Sequence, residues 1–160
     1  MRDSGDLSTT LIISGVVLLI GISFLLVIFP NIFKAPTQLW LGDGVFDAKV
    51  ALDDYSRKKG LSGANELKPT QVLLMAFPTD GKWGIWMKDM KMPIDIIWLN
   101  KDKKVIYMVK NASPETSILK TYEPKSPARY VIELPAGTVD SSAIKINSVA
   151  FFEVNSGDIK

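Results

Sequence analysis

The 160-residue sequence contains neither cysteine nor histidine. Disulfides are therefore excluded, as are zinc or haem centres held by Cys or His and any catalysis through a thiolate or an imidazole base. A chain with nothing to oxidise suits a reducing or an oxidising compartment equally, so this absence does not choose between them. Charge of one sign is also lacking: 19 basic against 17 acidic residues leave a formal net charge of +2. The clustered basic excess of a nucleic-acid binder is missing, and nucleic acid is not expected as a partner. No nucleophile elbow, phosphate-binding loop, Ser-Lys catalytic motif or internal repeat is present. No cofactor and no metal are expected.

What the sequence does have is one long apolar run. Residues 11–29, LIISGVVLLIGISFLLVIF, carry no charge and are followed by Pro30 and Asn31. A helix of that length is roughly 28 Å long, close to the hydrocarbon thickness of a bilayer. A signal peptide would have a shorter apolar core, a more basic start and a small-x-small cleavage site. The expectation is a short N-terminal tail over residues 1–10, a transmembrane helix over 11–33 lodged in the lipid bilayer, a linker over 34–43 and a folded domain over 44–160. Orientation is weakly encoded, since Arg2 is offset by Asp3 and Asp6 and is answered by Lys34 beyond the run.

The domain reads as mainly β. Phe46, Ala48, Val50 and Leu52 alternate with Asp47, Lys49 and Ala51, the period of a half-buried strand. Asp53 is placed to cap a short helix through Arg57 that Gly60 ends. Short apolar runs follow at 72–77, 82–87, 94–99, 105–109, 128–134 and 145–154, separated by turn sequences at 78–81, 100–103 and 111–115. Such spacing predicts a small β-sandwich or barrel rather than an alternating βαβ sheet.

Strand alternation also sorts side chains by face. Trp83, Ile85 and Met87 share one side, and Gly84, Trp86 and Lys88 the other. Asp95 lies in the wholly apolar run 93–99 and should be buried, held by a cation or by several hydrogen-bond donors. Arg129, Val131 and Glu133 form one row of their strand, with Tyr130, Ile132 and Leu134 opposite. Trp86, Lys88, Asp95, Arg129 and Glu133 are the candidate ligand-binding residues, on the expectation that neighbouring strands gather them into one patch. The competing expectation is an internal Asp95–Arg129 ion pair with Trp86 as packing.

Three segments, WMK at 86–88, PIDI at 93–96 and RYVIELPAG at 129–137, resemble in that order the prokaryotic family called domain of unknown function 192. The resemblance runs from about Lys49 to Val154, with Gly60-Leu61 matching a Gly-Leu-Met motif. Ser62 departs from that motif's Met, and Asn147 stands where a Lys-x-Gly-Asp turn is common. The resemblance implies a small jelly-roll-like β-sandwich, often with a signal peptide or anchor, and so a domain outside the cytoplasm. It carries no activity with it.

Three functions fit these residues. The first is a membrane-anchored, extracytoplasmic module that binds an envelope glycan or another polar ligand, an indole plate beside charged groups suiting a sugar's apolar face and hydroxyl edge. Another is an accessory or scaffold subunit of a membrane complex, docking on an envelope protein through an exposed apolar patch. The last, a hydrolase with Asp95 and Glu133 as its two carboxylates, would need them facing each other across a cleft. Enzyme activity is the less favoured expectation.

Overall fold

A computed structural model describes residues 37–114 and 121–160. The N-terminal tail and the expected transmembrane segment lie outside the described residues. No helix among the described residues is long and apolar enough to cross a membrane.

The chain is mainly β, as expected. Its strands are β1 (Thr37–Leu41), β2 (Gly44–Ala51), β3 (Gln71–Gly81), β4 (Ile85–Trp86), β5 (Ile94–Leu99), β6 (Val105–Ala112), β7 (Thr121–Tyr122) and β8 (Ala128–Pro135). Two short α-helices, α1 (Asp54–Lys59) and α2 (Thr138–Ser141), and a 3-10 turn at Ser156–Asp158 complete the described elements. Six strands form one sheet in the order β1-β2-β3-β8-β5-β6, and β4 and β7 pair as a separate ribbon. Of the two expected forms, a sandwich or a barrel, one main sheet of six strands departs from the sandwich of two facing sheets and is nearer to the barrel. A βαβ unit is also present, because β2 and β3 run parallel and α1 lies in the crossover between them.

The sheet curls until its edges meet one segment. Trp40 of β1 pairs with Phe151, and Lys104, just before β6, pairs with Val149. Residues 149–151 thus close the curl like a barrel stave, in place of the regular strand expected over 145–154. Asn147, at φ 73, sits in the turn that feeds this segment and donates its amide to the Val105 carbonyl at 2.9 Å. Asn tolerates that left-handed conformation better than most residues, which accounts for its standing at a turn where glycine is common in the resembled family.

Inside the curl lies one core, including Leu39, Phe46, Leu74, Leu99, Ile132 and Phe152. On the opposite face of β3, β8 and β5 a second core gathers Met75, Phe77, Ile96, Trp98 and Val131 beneath Met87 and Ile85. Every member of both clusters lies between residues 39 and 152, so the domain carries its own interior. The three central strands are buried on both faces, and all six residues of β5 are buried.

Local chemistry explains the elements around the site. The Asp53 carboxylate accepts from the Ser56 amide at 2.8 Å while the Ser56 hydroxyl faces the Asp53 amide at 3.3 Å, a capping box that starts α1 where expected. Gly60 ends it at φ 50, ψ −135, a conformation that strains any side-chain-bearing residue. The segment expected as a linker contains β1, whose Leu39 and Leu41 point into the first core. Its register with β2 is set by Leu39 opposite Phe46.

Candidate functional site

The two carboxylates singled out in the sequence occupy opposite faces of the sheet. Asp95 stands opposite Leu134 and Glu133 opposite Ile96. Leu134 belongs to the core inside the curl and Ile96 to the core outside it. A paired residue shares its partner's face, so the Asp95 and Glu133 side chains leave the sheet in opposite directions. They cannot flank one scissile bond, and the two-carboxylate hydrolase is excluded.

Asp95 is sealed at 0% exposure, and both its oxygens are occupied by main-chain donors. Oδ1 accepts from the Asn111 amide at 2.9 Å and Oδ2 from the Val139 amide at 2.8 Å. The expected burial is correct, and of the two expected holders, a cation or several hydrogen-bond donors, the structure shows the donors, two main-chain amides. The side chain fastens β5 to the irregular end of β6, where Asn111 sits at φ 50, and to the start of α2. Arg129 is not its partner either: its Nε donates to Asp80 Oδ1 at 2.7 Å in a half-exposed surface pair. Asp95 and Arg129 therefore leave the expected binding patch.

Trp86 and Glu133 do meet at one place. A partly open cavity of about 260 Å³ is lined by α1, by Gly60, Leu61 and Ser62, by Met75 and Phe77 of β3, and by residues 83–86, with Glu133 among its walls. Each wall has a structural cause. The loop after α1 is tied to the exit of β4, the Ser62 hydroxyl donating to the Lys88 carbonyl at 2.8 Å and the Gly63 amide to the Asp89 carbonyl at 2.9 Å. Ser62, a departure from the family motif, thus contributes a hydrogen bond where a Met would contribute bulk. Gly84 lets the β4–β7 ribbon close, since a Cβ there would stand 2.5 Å from Thr121 Cγ2.

The aromatic wall is a stack that alternation alone does not disclose. Phe77 and Trp83 lie parallel, with centroids 4.3 Å apart and 7° between planes. Arg57 covers the Phe77 ring with its guanidinium carbon 5.1 Å from the centroid. That guanidinium is held by the Ala76 carbonyl at 2.8 Å, by Asp54 at 2.6 Å and by the Lys160 carbonyl. Trp86 is half exposed, and the Lys88 ammonium lies 5.9 Å from its ring centroid. Trp86 lies opposite Ile85 and Met87, as alternation has it, and is exposed rather than packed as in the competing expectation, with Lys88 beside it.

Glu133 is the polar group of this apolar pocket. It is 3% exposed, and its Oε2 has no hydrogen-bond partner among the described residues. Burial raises its carboxyl from the ordinary 4.5 to about 8, against a smaller pull in the other direction from the Leu61 amide. The protonated, neutral form is thus favoured at pH 7. A neutral carboxyl offers one donor and one acceptor, and neither is spent at Oε2. Arg57, Phe77 and Trp83 were not expected as site residues. The sequence placed Arg57 only at the end of a capped helix and Trp83 only in the row with Ile85 and Met87, and neither position alone marks a pocket.

Among the described residues no cluster of acidic side chains could hold a metal ion. Residues 38–150 match the family DUF192, described as "Uncharacterized ACR, COG1430". Two curated proteins are similar over part of their length. A UPF0127 protein of Pyrococcus furiosus is 29% identical over 87 residues, covering 49% of this chain and 66% of that protein. A UPF0127 protein of Thermococcus sibiricus is 28% identical over 121 residues, covering 76% and 73%. The fold is that of a solved Sinorhizobium meliloti protein described as a candidate transcription regulator, with a TM-score of 0.69 at 23% identity over 74% of this chain and 94% of that one. A Novosphingobium aromaticivorans protein of unknown function is similar too, with a TM-score of 0.67 at 19% identity over 76% and 89%.

Proposed function

The chain belongs to the DUF192 family of uncharacterised proteins, and from that footing we propose that its domain is a binding module for a small neutral ligand with one apolar face and one hydroxyl or amide edge. The apolar face lies against Trp83 and Trp86, and the polar edge meets the Glu133 carboxyl. A single sugar unit of an envelope glycan has this chemistry. A cavity of about 260 Å³ is at the small end of ligand pockets and suits one ring or a chain terminus. In this reading the apolar run at 11–29 anchors the module in the membrane, with the domain outside the cytoplasm.

The observation that carries the reading is the unpartnered Oε2 of Glu133 in the wall of an aromatic-lined cavity. Leaving such an atom buried without a partner costs on the order of 1–3 kcal/mol, and a ligand hydroxyl or amide removes that cost. Ionising the group inside the pocket is harder still, which favours a neutral guest.

Calorimetric titration of the full chain in detergent with cell-wall oligosaccharides tests this. Binding should involve no net proton exchange, measured as equal heats in buffers of different ionisation enthalpy, and should weaken above pH 8 as Glu133 ionises. Glu133→Gln, which keeps a donor and an acceptor, should retain affinity within a few-fold and lose that pH dependence. Glu133→Leu should lose tenfold or more. Equal affinity in the Leu variant overturns the reading, and release of a proton on binding would mean a cationic guest instead. Protease added to intact cells should digest the domain; digestion only after lysis would overturn the proposed orientation.

A further inference from the structure

The outer surface of β1 bears a row of apolar side chains that no core absorbs. Between the buried Leu39 and Leu41, Trp40 points outward. It is paired on one side with Val45 of β2 and on the other with Phe151, through reciprocal main-chain bonds of 2.9 Å each. Val149 lies two residues from Phe151, on the same side of a segment whose Ala150 and Phe152 turn into the core. Exposures are 50% for Val45, 46% for Trp40, 65% for Phe151 and 41% for Val149. Single exposed apolar residues are ordinary, but four that are adjacent across three chain segments, with an indole at the centre, are not.

Two further facts indicate what covers them. Only residues 30–36 separate the apolar run at 11–29 from β1, and seven residues fully extended reach about 25 Å. If the run spans a bilayer, β1 is the strand tethered nearest to the lipid surface. The charge at the Val149 end also fits, since Lys104 pairs with Val149 and Lys145 precedes it by four residues, whereas Glu153 follows Phe151 by two and Asp47 follows Val45 by two. Trp and Phe with Lys at one end is a composition that settles at a headgroup boundary, those basic side chains reaching anionic lipid.

We propose that Val45, Trp40, Phe151 and Val149 form an interfacial anchor by which the domain lies against the surface of an anionic bilayer. Its independence from the pocket is structural, because none of these four residues lines the cavity around Glu133. It rests on reading residues 11–29 as a span only for where the membrane is, and the experiment keeps the two apart.

The domain over residues 36–160, which contains both cores, is mixed with vesicles of phosphatidylcholine and phosphatidylglycerol and with vesicles of phosphatidylcholine alone, and partition is read by sedimentation. Binding should be stronger to the anionic vesicles, fall with added salt, and drop tenfold or more in Trp40→Ser/Phe151→Ser. Tyr55→Ser, whose ring is exposed on α1 and is not among the residues that line the cavity, should partition like the wild type. Partition unchanged by the double variant overturns the proposal, as does absence of binding to either vesicle. So does a wild-type domain that self-associates through Trp40 and Phe151 in sedimentation velocity, which would make the row an interface between copies. Carbonate extraction of the full chain from membranes reports on the span alone, so its failure and the failure of the anchor are separate results.

Discussion

Asp95 and Glu133 are two acidic side chains on adjacent strands, both buried, and the sheet between them assigns them opposite roles. Asp95 has an amide for each oxygen and is sealed from solvent. Glu133 has the Leu61 amide toward one oxygen, nothing on the other, and a cavity in front. Burial alone therefore says little about function. A buried carboxylate whose acceptors are filled holds strands together, whereas one with an open acceptor is poised for something that is not part of the fold.

The largest effect that should separate the two is pH-dependent. Glu133 has a folded value raised above its unfolded one, so between pH 4.5 and about 8 the native domain keeps a proton that the unfolded chain releases. Stability should fall as pH rises through that window and level off above it, by several kcal/mol in all. Glu133→Gln should flatten the slope and unfold at higher urea than the wild type at pH 9. A wild-type urea midpoint constant from pH 5 to pH 9 would break the comparison.

Next comes Asp95→Ala, which leaves the Asn111 and Val139 amides unpaired in the interior and should cost about 3 kcal/mol in denaturant unfolding. Where the variant folds, ligand affinity at the pocket should not change, because the side chain never reaches that face. Gly60→Ala is a smaller perturbation, about 1–2 kcal/mol from backbone strain at φ 50. It should also alter affinity: the Cβ itself would make only ordinary contact, 3.7 Å from Glu133 Oε1, but relief of the strain shifts the backbone that carries the Leu61 amide. Least of all, Arg129→Ala removes only a surface ion pair with Asp80 and should change stability by less than about 1 kcal/mol. A cost above 2 kcal/mol would restore Arg129 to a central role.

Alternation and capping were legible from the residues. The helix ended by Gly60, the burial of Asp95, and the parity that sets Trp86 and Lys88 opposite Met87 all rest on neighbours within a few positions. What depended on distant segments was not legible. Thr37–Leu41 is too short and too close to Pro36 to announce a strand, and its pairing comes from Phe46 and Phe151, far along the chain. The run 145–154 has strand-like composition, but Asn147 at φ 73 breaks its ladder, leaving isolated bridges. The pocket is least legible of all. It requires Gly60 and Leu61 to fold over Glu133 and Trp83 to stack on Phe77, and no spacing in the sequence encodes either approach.

The parallel pairing of β2 with β3 has a consequence for how such a domain diversifies. Strands that begin at the same end oblige the chain to travel back along the sheet, and residues 52–70 make that return journey. The roof over the cavity is therefore compulsory, while the stretch after Leu61 that completes it lies in a loop outside the sheet's ladder. That stretch can be lengthened or rewritten without touching the hydrogen bonds that hold the sheet, so the cavity's wall can change while the fold stays the same.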